Sequence, residues 1–293
     1  MRGIISPIIT PLNADGSLDQ TSLENITERM ISAGIAGFFV SGTTGEFSSL
    51  SYDFKVNLGK SLIEIVKRRV PVLTGISSTI PQDSVEQGKV AKTLGADFVV
   101  ATPPYYLKMN QEEVFDYYTW LVSEIKLPLY LYNIPSLTKV IIEKETVLKL
   151  SENPGIVGLK DSSGDLEYFQ NMTEKFSGSD FEIFMGPEEI LREALQYGAN
   201  GGVNGGTNIF PEWYIELYHA HQAGDKVKVD TVQQKILKFS DQVYAFTNDE
   251  NAYLKGLKAA MAIKGLCQNH LSNPLKAYSE EQLEQIAQIL QNF

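Results

Sequence analysis

A lysine that closes an apolar run is the sharpest chemical feature of this sequence. Lys160 ends the stretch G-I-V-G-L-K at 155–160, which reads as a buried strand. A charged ammonium is costly in such a place. Burial favours the neutral amine, which is a nucleophile towards carbonyl carbon. A structural reading competes: a lysine paired with Asp161 or with a glutamate at the rim. Position alone does not separate the two. Tyr132 also closes an apolar run, at 127–132. A phenol there can move protons at a substrate, or it is a core residue with a polar tip. The stretch G-T-T-G-E at 42–46 offers two hydroxyls, Thr43 and Thr44, and several backbone N–H groups ahead of a helix. That makes it a cradle for a small carboxylate or a well-capped turn. G-G-V-N-G-G-T at 201–207 reads as a phosphate turn or as glycines that let chains approach closely. Glu46, Asp161, Glu188 and Glu189 show no clear metal-ligand pattern. Glu188 and Glu189 suit the binding of sugar hydroxyls, because carboxylates accept from OH groups.

Several other chemistries find no support. There are three histidines, and the close pair, His219 and His221, falls on different faces of a helix. No G-x-S-x-G elbow, Walker sequence or G-x-G-x-x-G is present. The single cysteine, Cys267, excludes an internal disulfide, suits a reducing cytoplasm, and reads as a helical core position. With a net charge of −11, the chain lacks the clustered cations of a nucleic-acid partner. Its one basic cluster, Lys67-Arg68-Arg69, reads as complementing a helix C-terminus. No apolar run approaches the roughly 20 residues of a membrane span. The first 17 residues, interrupted by proline, read as a strand rather than a signal peptide.

What must position these residues is a series of short apolar runs, at 3–10, 37–40, 70–75, 96–102, 127–132, 155–160, 182–186 and 201–204. They alternate little, as parallel strands buried on both faces do. Between them lie amphipathic helical segments at 18–33, 52–67, 82–94, 110–125, 143–151, 166–176, 188–197 and 211–223. Asn110 and Glu113 form a capping-box pattern, and Pro211 fits a first helical turn. Eight βα units predict an α/β fold, a (β/α)₈ TIM barrel, preferred over a doubly wound sheet because no phosphate loop follows the first strand. The barrel occupies 1–223. A C-terminal helical region, 224–293, carries helices at 227–246, 252–264 and 280–291. Barrel active sites lie at strand C-termini, and those ends hold Thr43, Thr44, Tyr106, Tyr132, Lys160, Ser162, Gly186, Glu188, Glu189, Val203 and Gly205.

The combination of G-T-T-G-E (42–46), P-P-Y-Y (103–106), Y-N-I-P (132–135) and G-L-K-D (158–161) resembles the dihydrodipicolinate synthase/N-acetylneuraminate lyase family over essentially the whole chain. The resemblance implies a homotetramer built as a dimer of dimers and a class I mechanism with no metal or other cofactor. It implies that Lys160 forms the Schiff base with pyruvate or a 2-keto acid. Tyr132 acts as acid/base, Thr43 relays protons, and Tyr106 reaches in from a neighbouring subunit. Thr44 holds the carboxylate.

Departures from the family pattern narrow the branch. The synthase branch carries an arginine two residues after the Y-N-x-P proline, where this chain has Leu137, which cannot bind a carboxylate bidentately. The sialic acid lyase branch has G-Y-D-E and a serine after strand eight, where this chain has G-P-E-E (186–189) and Gly205, although Ser162 keeps a hydroxyl past the lysine. The chain is most similar to 2-keto-3-deoxy-sugar-acid aldolases. The expected reaction is cleavage or formation of such an acid, or of a 4-hydroxy-2-oxoacid, with pyruvate and an aldehyde as products. The alternative is 4-hydroxy-tetrahydrodipicolinate synthase, condensing pyruvate with aspartate semialdehyde.

Overall fold

The computed structural model describes residues 1–293. Its strands are β1 (Gly3–Pro7), β2 (Gly37–Val40), β3 (Val72–Gly75), β4 (Phe98–Ala101), β5 (Leu129–Asn133), β6 (Ile156–Asp161), β7 (Glu182–Met185) and β8 (Gly201–Val203). They are parallel and close in sequence order, with β1 pairing β8: a TIM barrel, as expected. The helices are α1 (Gln20–Ala33), α2 (Tyr52–Val66), α3 (Pro81–Leu94), α4 (Gln111–Ile125), α5 (Pro135–Thr138), α6 (Lys144–Ser151), α7 (Leu166–Lys175), α8 (Leu191–Gln196), α9 (Pro211–Gln222), α10 (Lys226–Phe239), α11 (Ala252–Ile263) and α12 (Glu280–Leu290).

Local chemistry explains most boundaries. Asp19, Ser51, Asp165 and Asp225 each cap a helix through the side chain. The Asn110–Glu113 capping box forms in both directions. Pro211 opens α9. The Arg69 guanidinium donates to the carbonyls of Ile65 and Val66 at the end of α2 and pairs with Glu28, the role expected of this cluster.

Some boundaries differ from expectation. β1 ends at Pro7 because the Ile9 N–H leaves the ladder for the side-chain carbonyl of Asn208, at 3.0 Å. The segment at 188–197 breaks into a 3₁₀ turn (Glu188–Ile190) before α8, and α10 runs into a π turn (Ser240–Tyr244). Cys267 is buried but not helical: α11 stops at Ile263, and Gly265, at φ 71°, turns the chain. Burial pushes its thiol up to about 11.

Strand alternation divides the core in two. Inside the barrel, Ile5, Phe39, Leu73, Val100, Tyr130, Tyr132, Phe184 and Val203 form one cluster. The other strand faces pack against the helices in a larger cluster that also takes in Phe239, Met261 and Ile286 of α10 to α12. Each fully buried side chain of this size contributes ~1.5–3 kcal/mol. The tail therefore shares the barrel's outer core. No helix is long and apolar enough to cross a membrane.

Candidate active site

Two neighbouring strands bring the lysine and the tyrosine together, and they do so through a bulge. Leu129 pairs with Ile156, but Tyr130 pairs with Gly158, so Val157 is extra. Beyond this irregularity Tyr132 lies beside Lys160 and Asn133 beside Asp161. Without it, Tyr132 would face Leu159 and the lysine would turn outward. Gly158 permits the approach, since a Cβ there would stand 2.3 Å from the Glu182 carbonyl and 2.6 Å from the Tyr130 ring.

Lys160 thus points into the barrel mouth, 7% exposed, with Nζ 4.0 Å from the Tyr132 ring centroid and 5.0 Å from that of Phe39. Its proposed structural partner is committed elsewhere. Asp161, on the opposite face, accepts from Asn133 Nδ2 at 2.7 Å and Ser163 Oγ at 2.8 Å, and burial pushes its carboxyl up to about 6. Lys160 joins none of the ion pairs in the molecule. Its amine lies against two aromatic rings and open cavity.

The 42–46 turn supplies the facing wall. Thr43 Oγ1 lies 3.2 Å from the Tyr132 hydroxyl, and Thr44 Oγ1 lies 3.1 Å from that of Tyr253. Gly42 must be glycine here, because a Cβ would meet the Phe39 ring at 2.6 Å. Thr43, Thr44, Tyr132, Lys160 and Tyr253, together with Ser162, Gly186, Glu188, Glu189, Val203 and Gly205, line one cavity of about 370 Å³. Of the expected site residues only Tyr106 lies apart. It is 91% exposed and borders a separate depression with Leu107, Met109 and Trp120.

Glu188 reaches the cavity wall with both carboxylate oxygens engaged, and Glu189 with one. Glu188 is 4% exposed; its Oε1 accepts from the Tyr214 hydroxyl at 2.6 Å and its Oε2 from the Gly206 N–H at 2.8 Å. Burial, and then the charge of Glu189, pushes the Glu188 carboxyl up to about 7. Glu189 Oε1 accepts from Ser240 Oγ at 2.5 Å. The phosphate reading of the 201–207 stretch loses one of its donors here, since the Glu188 carboxyl already occupies the Gly206 N–H. Gly205 is bare for a steric reason: a Cβ would lie 1.6 Å from the Tyr253 hydroxyl.

Sequence reasoning missed the contribution of the tail. Tyr244, Glu250, Asn251, Tyr253 and Leu254 complete the cavity, and Leu137 joins them from α5. Periodicity marks the buried face of a helix but not the surface that receives it, so no local signal places these residues at the barrel mouth. Burial pushes the Tyr253 and Tyr244 phenols well above their ordinary value, keeping both hydroxyls protonated.

A model of the dihydrodipicolinate synthetase family matches residues 1–293. The chain belongs to this family. It is 31% identical over 292 residues to a probable 2-dehydro-3-deoxy-D-pentonate aldolase of Escherichia coli K12, a match covering 98% of this chain and 96% of that protein. It is 31% identical over 296 residues to 4-hydroxy-tetrahydrodipicolinate synthase of Bartonella bacilliformis, covering 100% and 98%. Among solved structures, dihydrodipicolinate synthase from Bacteroides thetaiotaomicron superposes with a TM-score of 0.96 at 40% identity, covering 100% of this chain and 98% of that one. A prophage protein of the dihydrodipicolinic acid synthase family from E. coli K12, solved with pyruvate, gives 0.94 at 28%, with the same coverage. The dihydrodipicolinate synthetase family consists of pyruvate-dependent lyases and aldolases, and this chain is an enzyme of that class.

Proposed function

We propose that Lys160 forms a Schiff base with the ketone carbon of a 2-keto-3-deoxy sugar acid or a 4-hydroxy-2-oxoacid, and that the enzyme cleaves it, reversibly, to pyruvate and an aldehyde. The observation that carries this reading is the placement of an ion-pair-free lysine beside Tyr132 at the barrel mouth. Attack of the amine on the ketone expels water and leaves an iminium. Tyr132 gives its proton to the departing hydroxyl; as phenolate it then takes the proton from the C4 hydroxyl, the C3–C4 bond breaks, and its electron pair passes into the iminium to give an enamine. The aldehyde departs, C3 is protonated, and water releases pyruvate and the free amine. Thr43, within hydrogen-bond reach of Tyr132, relays the proton, with Tyr106 of a neighbouring subunit in a homotetramer as the next member of the relay. Thr44 and the N–H groups of its turn hold the substrate carboxylate. The lysine itself supplies the electron sink, so no metal or other cofactor enters the scheme. A cytoplasmic location suits the lone, buried thiol.

A second reading, the condensation of pyruvate with aspartate semialdehyde, is favoured by the names of the Bartonella and Bacteroides relatives. Against it stands Leu137, which lines the cavity and offers no cation to a second carboxylate. Incubation with pyruvate and borohydride, followed by peptide mass spectrometry, tests the shared step: an adduct on Lys160 is expected. Its absence from folded protein, or undiminished trapping on another residue after Lys160→Ala, would overturn both readings. An aldehyde screen on the same protein then separates them.

A further inference from the structure

Helix α11 grips the 42–46 turn at two points that the chemistry above does not use. Near its start, the Tyr253 hydroxyl meets Thr44 Oγ1. Further along, Lys258 Nζ reaches Glu46 Oε1 at 2.6 Å, the Thr10 carbonyl at 2.6 Å and the His270 carbonyl at 2.9 Å. The other Glu46 oxygen accepts from the N–H and hydroxyl of Ser272, at 2.7 and 2.8 Å. Thr10 Oγ1 in turn donates to the Gly45 carbonyl at 2.7 Å. Lys258 is 2% exposed and Glu46 3%, so the pair is buried with every ammonium proton and both carboxylate oxygens engaged.

Such a pair adds little net stability over apolar side chains of the same volume, but breaking one half of it is costly. Its distinctive effect is geometric. Ser41 and Glu46 sit at φ 57° and 58°, the left-handed region that L-residues avoid, and Thr43 and Thr44 lie between them. Gly256 lets α11 seat against the π turn, where a Cβ would stand 2.2 Å from the Val243 carbonyl. We infer that Lys258 is a positioning residue: with Tyr253 it clamps the 42–46 turn across the barrel mouth, setting Thr43 against Tyr132 and Thr44 against the carboxylate of the 2-oxo acid. The inference rests on the Schiff-base reading and makes the helical tail part of the catalytic apparatus.

The test uses pyruvate and borohydride without any aldehyde. Two variants are compared with the wild type: the paired replacement Glu46→Leu with Lys258→Met, which substitutes an apolar contact, and Tyr253→Phe, which removes one hydroxyl. Three quantities are read: Tm, the pyruvate concentration that half-saturates trapping on Lys160, and the rate at which pyruvate methyl protons exchange with D₂O. Tm should stay near the wild-type value for Tyr253→Phe and fall for the paired variant, whose loss strands the Thr10 and His270 carbonyls and the Ser272 N–H; in both, half-saturation should rise about tenfold, the loss of one hydrogen bond's worth of binding, and exchange should slow. Folded variants that trap and exchange like the wild type would overturn the inference. Should the paired variant fail to fold, Tyr253→Phe decides alone. Wild-type protein that does not trap pyruvate would overturn the Schiff-base reading and this inference with it, whereas wild-type-like variants overturn the inference alone.

Discussion

Replacing Glu188 with glutamine is expected to change how stability depends on pH. Burial raises this carboxyl from 4.5 to about 7. A carboxyl raised in the native state holds its proton more tightly folded than unfolded. Its contribution is therefore fully present below the unfolded value and is lost as pH rises through the folded one. Between those values the linkage slope approaches about −1.4 kcal/mol per pH unit, which integrates to on the order of 3 kcal/mol. Asp161, raised from 3.8 to about 6, has the same sign, so only the difference between wild type and variant isolates Glu188. Glutamine keeps an acceptor for one of Tyr214 and Gly206 but turns an amide donor towards the other, a cost of roughly 1–3 kcal/mol. Near pH 5 the variant should therefore be the less stable protein, and by about pH 8, where wild-type Glu188 is buried and charged, the gap should close or reverse. Urea unfolding at a series of pH values measures this directly. Parallel stability curves for the two proteins would refute the assignment of a buried, proton-retaining Glu188.

Tyr132→Phe keeps the ring that packs on Phe39 and lies beside Lys160 but removes the proton carrier. Pyruvate should still be trapped, while methyl-proton exchange falls by about 10²–10⁴-fold; exchange at the wild-type rate would remove Tyr132 from its role. Leu137→Arg places a cation on the cavity wall at a position 58% exposed and should shift preference by about tenfold or more towards carboxylated aldehydes. An unchanged ratio of kcat/KM between aspartate semialdehyde and glyceraldehyde would show that this position does not select the substrate. Gly205→Ala puts a Cβ 1.6 Å from the Tyr253 hydroxyl, so the ring must move away from Thr44. The expected loss is about 1–3 kcal/mol, read by thermal unfolding, and a wild-type Tm would contradict the packing described.

Lys160 and Tyr132 are legible in the sequence because each closes an apolar run, and strand ends are where a barrel displays its chemistry. Their adjacency is not. It depends on Val157, an extra residue beside Gly158; a glycine within a strand is compatible with a bulge or with close packing alone, and one residue of slip would have sent Lys160 to the outer face with Asp161 inward. The acidic pair after β7 shows a different limit. A carboxylate at a barrel mouth reads as a free acceptor for substrate hydroxyls, yet both oxygens of Glu188 are committed, one of them to a tyrosine 26 residues away on α9. Tyr253 and Lys258 lie further still from the groups they hold, at separations of 209 and 212 residues. Residue type and strand position therefore identify the groups that could react, but which of them is free to meet a substrate depends on partners distant in the chain. That is why the nucleophile is readable here while the Glu188 environment and the α11 contacts required the fold. It also locates the sharpest specificity questions at the tail-facing wall of the cavity, where Asn251, Tyr253 and Leu254 meet Leu137.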